Sequence, residues 1–370
     1  MHIAIHCAEL DATRIDGTRV YLSEILKRFG ALAPEERFYL FHRDEFNQEL
    51  APSACANYEE RRVSGWFHWT QLRFAPVIRA LQPDVVWMPI QMVPLGIPKS
   101  TRVVVTVHDL AFEYYPETFP WADRWRHKLY LRYTLRRADH VIAITESTKR
   151  DILRLVPTRD PETITVVYHG FDASRFTPIA NSHDAEVLKK YNLESGSYVL
   201  YVGALQPRKN LVRLLQAFAL AKREIPDMKL VLVGARAWAW QSIEVAIDHH
   251  LFREDIIVTG AVSAEDLPSW YRGARVFVYP SLYEGFGMPL LEAFASGVPV
   301  LTTNNSSLPE VGGDAPRYAD AKDVEAMAKE LVILWRDEAI RKDHIERGLQ
   351  RAKDFSWDRS ADETLAVLHG

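Results

Sequence analysis

Arg208 and Lys209 stand side by side in the stretch GALQPRKN, between the apolar run Tyr198–Val202 and a helix expected over Leu211–Lys222. A helix start offers free N–H groups and positive potential, so it favours anions. Arg208 adds a forked donor and Lys209 a compact charge, a combination suited to a diphosphate. Farther on, Val276–Tyr279 leads into PSLYEGFGMPLLE, residues 280–292. Gly285 and Gly287 permit close backbone approach to a ligand, and Pro289 fits the first turn of a helix. Glu284 falls in the loop and Glu292 about one turn into that helix. Alone, Glu292 reads as a surface residue; beside the glycines and a second carboxylate it reads as a group that holds hydroxyls. His108-Asp109 follows a third apolar run, Val103–Val107. A lone histidine at such a place is ordinarily structural, and Asp109 either orients it or caps the next turn.

These residues need strands to end beside one another. Short apolar runs at Ile3–His6, Phe38–His42, Val85–Met88, Val103–Val107 and Val141–Thr145 alternate with helical periodicity. In Thr18–Phe29 the residues Val20, Leu22, Ile25, Leu26 and Phe29 recur at helical spacing, with Thr18 expected as the N-cap. The pattern restarts with Tyr198–Val202, Lys229–Val233, Ile256–Val258, Val276–Tyr279 and Val298–Leu301, near-continuous runs that suit parallel strands covered on both faces. Between the halves, Thr177–Gly196 is polar and weakly patterned and reads as a linker. The fold expected is therefore α/β: two doubly wound domains, residues 1–176 and 177–355, facing across a cleft. Ligands in such sheets bind beyond the C-terminal strand ends, where the candidate residues lie.

Composition narrows the classes. The chain has 370 residues, 48% hydrophobic and 25% charged, which excludes a disordered or low-complexity protein. A net charge of −4, about +1 over residues 1–175 and about −5 beyond, gives no nucleic-acid footprint. Two cysteines, Cys7 and Cys55, suffice neither for a disulfide scaffold nor for a zinc site and fit a reducing cytoplasm. The opening MHIAIHC lacks the form of a secretory signal, and the uncharged stretch Val85–Pro98 is too short and proline-rich to span a bilayer. No Asp-x-Asp occurs, so the usual carboxylate pair for a metal-bridged sugar nucleotide is absent, and no Gly-x-Gly-x-x-Gly marks a nicotinamide site. Two aromatic-rich segments stand out, Trp66–Trp69 and the basic stretch Trp121–Arg137. Helices packing aromatics inward are the plainer reading; contact with anionic lipid or a lipid-linked acceptor is the sharper one.

The pair Glu284/Glu292 within YEGFGMPLLEAFASGVPVL, with GALQPRKN upstream and SSLPEVGGDA downstream, resembles the retaining glycosyltransferases of family 4, of GT-B fold. The look is nearest to bacterial mannosyltransferases of polysaccharide assembly. The resemblance implies that Arg208 and Lys209 bind the donor diphosphate, that Glu292 holds the ribose and that Glu284 contacts the transferred sugar. It implies that the backbone of Gly285, Phe286, Gly287, Met288 and Leu290 lines sugar and phosphate. In the first domain it matches Gly17 to a phosphate-side loop and His108 to the donor sugar. Gly234 and Gly260, just after strands, would wall the nucleobase, and residues 356–370 would form a helix crossing back to the first domain. His169 stands where family members commonly have asparagine, and a turn role is the expectation for it.

The chemistry expected is retaining transfer of a sugar, mannose from GDP-mannose in first place, to a hydroxyl of a glycan or lipid-linked acceptor. It would need no metal or other cofactor, with the sugar nucleotide as co-substrate, and would take place in the cytoplasm, with peripheral contact at an anionic membrane through the N-terminal domain. Two rivals stand beside it: a nucleotide-sugar epimerase of the same fold, and a non-catalytic sugar- or lipid-binding module.

Overall fold

The computed structural model describes residues 1–13, 15–65, 67–116 and 130–370. Trp66 and residues 121–129 of the two aromatic-rich segments lie outside them. The chain divides into two compact units. The first comprises Met1–Glu113, Trp121–Gly170 and Ser356–Gly370; the second comprises Tyr114–Pro120 and Phe171–Phe355.

The first unit is built on seven parallel strands: β1 (His2–His6), β2 (Arg37–His42), β3 (Tyr58–Arg62), β4 (Val85–Met88), β5 (Arg102–Val107), β6 (His140–Ala143) and β7 (Ile164–Val166). Their order is β3-β2-β1-β4-β5-β6-β7. Ile3 lies opposite Phe38 on one side and Val85 on the other, so β1 is central and its apolar run is buried on both faces. Helix Gly17–Leu32 covers the sheet with Tyr21, Leu22, Ile25, Leu26 and Phe29, all fully buried. Its N-cap is Asp16 rather than Thr18: extended backbone places the Asp16 carboxylate to accept the Arg19 N–H. Thr145 likewise belongs to no strand; its hydroxyl caps helix Glu146–Leu155 by accepting from Thr148 N–H.

The second unit has six parallel strands, β8 (Tyr198–Val202), β9 (Lys229–Val233), β10 (Ile256–Gly260), β11 (Val276–Tyr279), β12 (Val300–Thr303) and β13 (Arg317–Ala319), in the order β10-β9-β8-β11-β12-β13. Both sheets thus follow the doubly wound order in which the chain reverses direction beside the first strand.

Two expectations are corrected. The stretch read as a linker holds helix Ser182–Lys189, fixed by an Asn181/Asp184 capping box. Asp184 also pairs with Arg272 at 2.5 Å, tying that helix to Leu267–Gly273 of the same unit. The division falls at Gly170/Phe171, not at 176/177, because Phe176 packs edge-on against Tyr271, 5.7 Å between ring centres. Helix Trp357–His369 lies in the first unit against Gly17–Leu32, and Arg102 donates to the carbonyls of Val367 and Leu368 near its end.

Candidate active site

In the second unit the reversal point lies between β8 and β11, and the loops leaving these strands carry the charged residues. After β8, Gly203 (φ 148°) turns the chain, Pro207–Lys209 forms one 3-10 turn, and Asn210 (φ 62°) opens helix Leu211–Glu224. The Asn210 amide donates to the carbonyls of Pro280 (3.0 Å) and Ala321 (2.7 Å), and Leu282 N–H donates to the Arg208 carbonyl. The two loops are therefore sewn together by backbone partners before any charge is considered.

Glu284 accepts from Lys209 Nζ at 2.6 Å and from Arg208 Nη1 at 3.3 Å. Lys209 also donates to the Tyr279 hydroxyl at 2.8 Å, with its ammonium 5.0 Å from that ring's centre, and Arg208 donates to the Tyr283 carbonyl. Lys209 and Glu284 are each only 7% exposed. Burial by itself would raise the Glu284 carboxyl, but the Lys209 ammonium and the Arg208 guanidinium outweigh it and bring it down to about 2. Glu284 is therefore ionised at neutral pH, and the cluster sets two cationic side chains against one carboxylate.

A second layer was not legible as function in the sequence. Thr302 Oγ1 donates to the Tyr279 carbonyl, Thr303 Oγ1 to that of Ser281, and Ser307 Oγ to those of Glu284 and Phe286. Ser306 Oγ accepts the Glu284 N–H at 2.8 Å. The run TTNNSS, residues 302–307, which ends β12 and continues beyond it, thus holds the 280–287 loop in place. Its only sequence signal was an uninterrupted polar run at a strand end.

Glu292 has a different partner, Tyr271. It accepts from the Tyr271 hydroxyl at 2.7 Å, and burial pushes its carboxyl above the usual range against the opposing pull of Tyr271 and Arg175. Gly287 (φ 108°) starts helix Met288–Ala295 without a side-chain cap, and Leu290 N–H already donates to the Gly287 carbonyl. Gly285 and Phe286 lie in the loop before that helix, and Met288 is its first residue. Gly234 (φ 148°) lies where a Cβ would come within 1.9 Å of the Gly203 carbonyl oxygen, and Gly234 N–H donates to Gly260. Gly260 (φ 73°) has open space beside it.

In the first unit, His108 follows β5, and its Nε2 lies 2.8 Å from the Pro89 carbonyl. A carbonyl only accepts, so Nε2 carries the proton and Nδ1 the lone pair. Burial pushes the imidazole below its usual value, which keeps it neutral. Asp109 Oδ1 accepts Ala111 N–H, so it caps the following turn. Gly17 is the first residue of its helix, beside Asp16, whose charge is felt at His108. His169 is not a turn residue. It is 3% exposed, stacks on Tyr21 (4.8 Å, 23°) and leans on Trp357 (5.5 Å), 5.6 Å from His108. The imidazole is thus one ring of an aromatic cluster with Tyr21, His108 and Trp357.

Two doubly wound units, with an Arg-Lys-Glu cluster at the reversal point of the second, are the architecture of a GT-B protein. The model for glycosyl transferases group 1 matches residues 184–351, and that for glycosyltransferase family 4 matches residues 15–175. The O-antigen chain mannosyltransferase B of Escherichia coli is 37% identical over 270 residues, covering 71% of this chain and 69% of the relative. Among solved structures, HepE of Anabaena in complex with UDP and glucose superposes with a TM-score of 0.77 at 17% identity, covering 100% of this chain and 99% of that one. Sucrose-phosphate synthase of Thermosynechococcus elongatus gives 0.78 at 20%, covering 100% and 98%. The chain belongs to glycosyltransferase family 4 and is a glycosyltransferase.

Proposed function

We propose that the protein transfers mannose from GDP-mannose, with retention and without a metal, to a hydroxyl of a glycan or lipid-linked acceptor on the cytoplasmic side of an anionic membrane. The observation that carries this is the Arg208–Lys209–Glu284 cluster at the β8/β11 reversal point. The name of the Escherichia coli relative supports mannose.

As the bond from the anomeric carbon to the diphosphate breaks, its electron pair stays on the phosphate oxygen. Arg208 and Lys209 stabilise that charge, and one such preorganised donor is typically worth about 3–4 kcal/mol. The ionised Glu284 offsets positive character on the sugar. The acceptor oxygen bonds to the anomeric carbon on the face the diphosphate leaves, and its proton passes to the departing phosphate oxygen. Among the described residues none is assigned as a nucleophile for the opposite face. His108, neutral with its lone pair on Nδ1, is suited to accept a hydrogen bond from a sugar hydroxyl; Glu292 is assigned the ribose, and Gly234 and Gly260 the base.

Thermal unfolding with GDP, UDP or dTDP tests the donor. Saturation at about 100 times Kd stabilises by about 2.7 kcal/mol, and we expect this for GDP. Stabilisation by UDP alone would refute the GDP assignment. With EDTA present, NMR of the product from GDP-mannose should show an α linkage, and Arg208→Ala should lower kcat about a hundredfold or more with the fold intact. A β-linked product, or near-normal turnover by the variant, would refute the mechanism.

A further inference from the structure

Exposed apolar side chains are common singly, so a contiguous group bordered by cations is informative. In the first unit Phe67, Leu72 and Leu95 are 60%, 55% and 57% exposed. They belong together. Phe67 and Leu72 line one hollow of about 350 Å³ with Gly65 and Arg73, and Leu95 N–H donates to Gln71 Oε1 at 2.8 Å, next to Leu72.

The supporting element is amphipathic. A wide helical turn, Thr70–Phe74, runs into helix Ala75–Leu81. Phe74, Ala75 and Ile78 are buried, while Leu72, Arg73, Pro76 and Arg79 are exposed at helical spacing on the opposite face. Beneath them Trp69 stacks on Phe74 (5.6 Å, 24°), giving the face a stiff base. Two cations border it: Arg73 lines the hollow beside Gly65, and no acidic residue occurs in the sequence between Glu60 and Asp84. Arg79 also reaches the Leu95 loop, where a Cβ on Gly96 would sit 3.2 Å from its Nη1.

We infer that the Phe67–Leu72–Leu95 face, with Arg73 and Arg79, docks on an anionic lipid bilayer. Apolar tips at the depth of the headgroup–acyl boundary, with arginines at the phosphates, match the physical pattern of interfacial binding. Anionic headgroups supply the counter-charge for Arg73 and Arg79 at the same depth as the apolar tips. The inference deepens the proposed function by naming the surface that brings the enzyme to a lipid-linked acceptor.

Co-sedimentation of the full chain with vesicles of phosphatidylcholine alone, or with 30% phosphatidylglycerol, tests it without any donor, so its failure leaves the sugar-transfer reading untouched. Binding is expected to the anionic vesicles only. Each of Arg73→Gln and Arg79→Gln should weaken it about fivefold, and Phe67→Ser/Leu72→Ser by tenfold or more. Both apolar sites are exposed, so melting temperature and nucleotide-induced stabilisation should be unchanged. Equal binding to neutral vesicles, or retention by the double variant, overturns the inference. Self-association of the wild type that the double variant loses, without vesicle binding, would also overturn it and assign the face to a second copy.

Discussion

Glu284 fixes the Lys209 ammonium and the Arg208 guanidinium in place with one carboxylate, and in the proposed mechanism that same carboxylate faces the sugar. Its carboxyl is lowered from an ordinary 4.5 to about 2. A group held down in the folded state contributes stability above its unfolded pKa, and that contribution is lost as the pH falls towards the folded value. Replacement by Gln should therefore destabilise the second unit by about 3 kcal/mol near pH 7. The gap between wild type and Glu284→Gln should narrow steadily from pH 5 to pH 3 in a urea series, whereas a constant gap would refute the ion-pair origin. The motif residues themselves were legible because charges and glycines are rare just after apolar runs. The Tyr279 hydroxyl that receives Lys209 was not, since a tyrosine inside VFVY reads only as core.

The loops that carry these groups depend on backbone approach more than on side chains. At Gly234 a methyl would press on the Gly203 carbonyl, in the turn that leads to Arg208. Gly234→Ala should cost more than 2 kcal/mol and weaken nucleotide binding at least tenfold. Gly260→Ala, also left-handed but with open space, should cost only about 1 kcal/mol. Equal effects in melting and nucleotide titration would refute the steric account. The central strands were read within one or two residues because burial on both faces writes an apolar run. Three of the four edge strands were missed for the opposite reason: β3 is YEERR, exposed on one side, and β7 and β13 have three residues each, whereas the edge strand β10 was read from its run Ile256–Val258. The polar tether Thr302–Ser307 escaped because hydroxyls that bind a neighbouring loop look like hydroxyls that bind water. The capping box at Asn181 was a local signal overlooked in a stretch with little apolar periodicity.

At the scale of the whole molecule, the first unit is assembled from separated parts of the chain, and Trp357 is one of the joints. Its backbone passes where only a glycine, Gly170, leaves room, and its indole packs with His169 and Tyr21. Trp357→Ala should destabilise the first unit by about 3–5 kcal/mol. Calorimetry should show that transition shifted while stabilisation by the bound nucleotide persists in the other; loss of both would refute the division. The same arrangement sets an order of synthesis. Residues 171–355 leave the ribosome before 357–369, so the unit encoded mainly second has nearly all its own residues first. The nascent N-terminal half must meanwhile leave uncovered the side of helix Gly17–Leu32 that meets helix Trp357–His369, a state that favours chaperone capture over early independent folding.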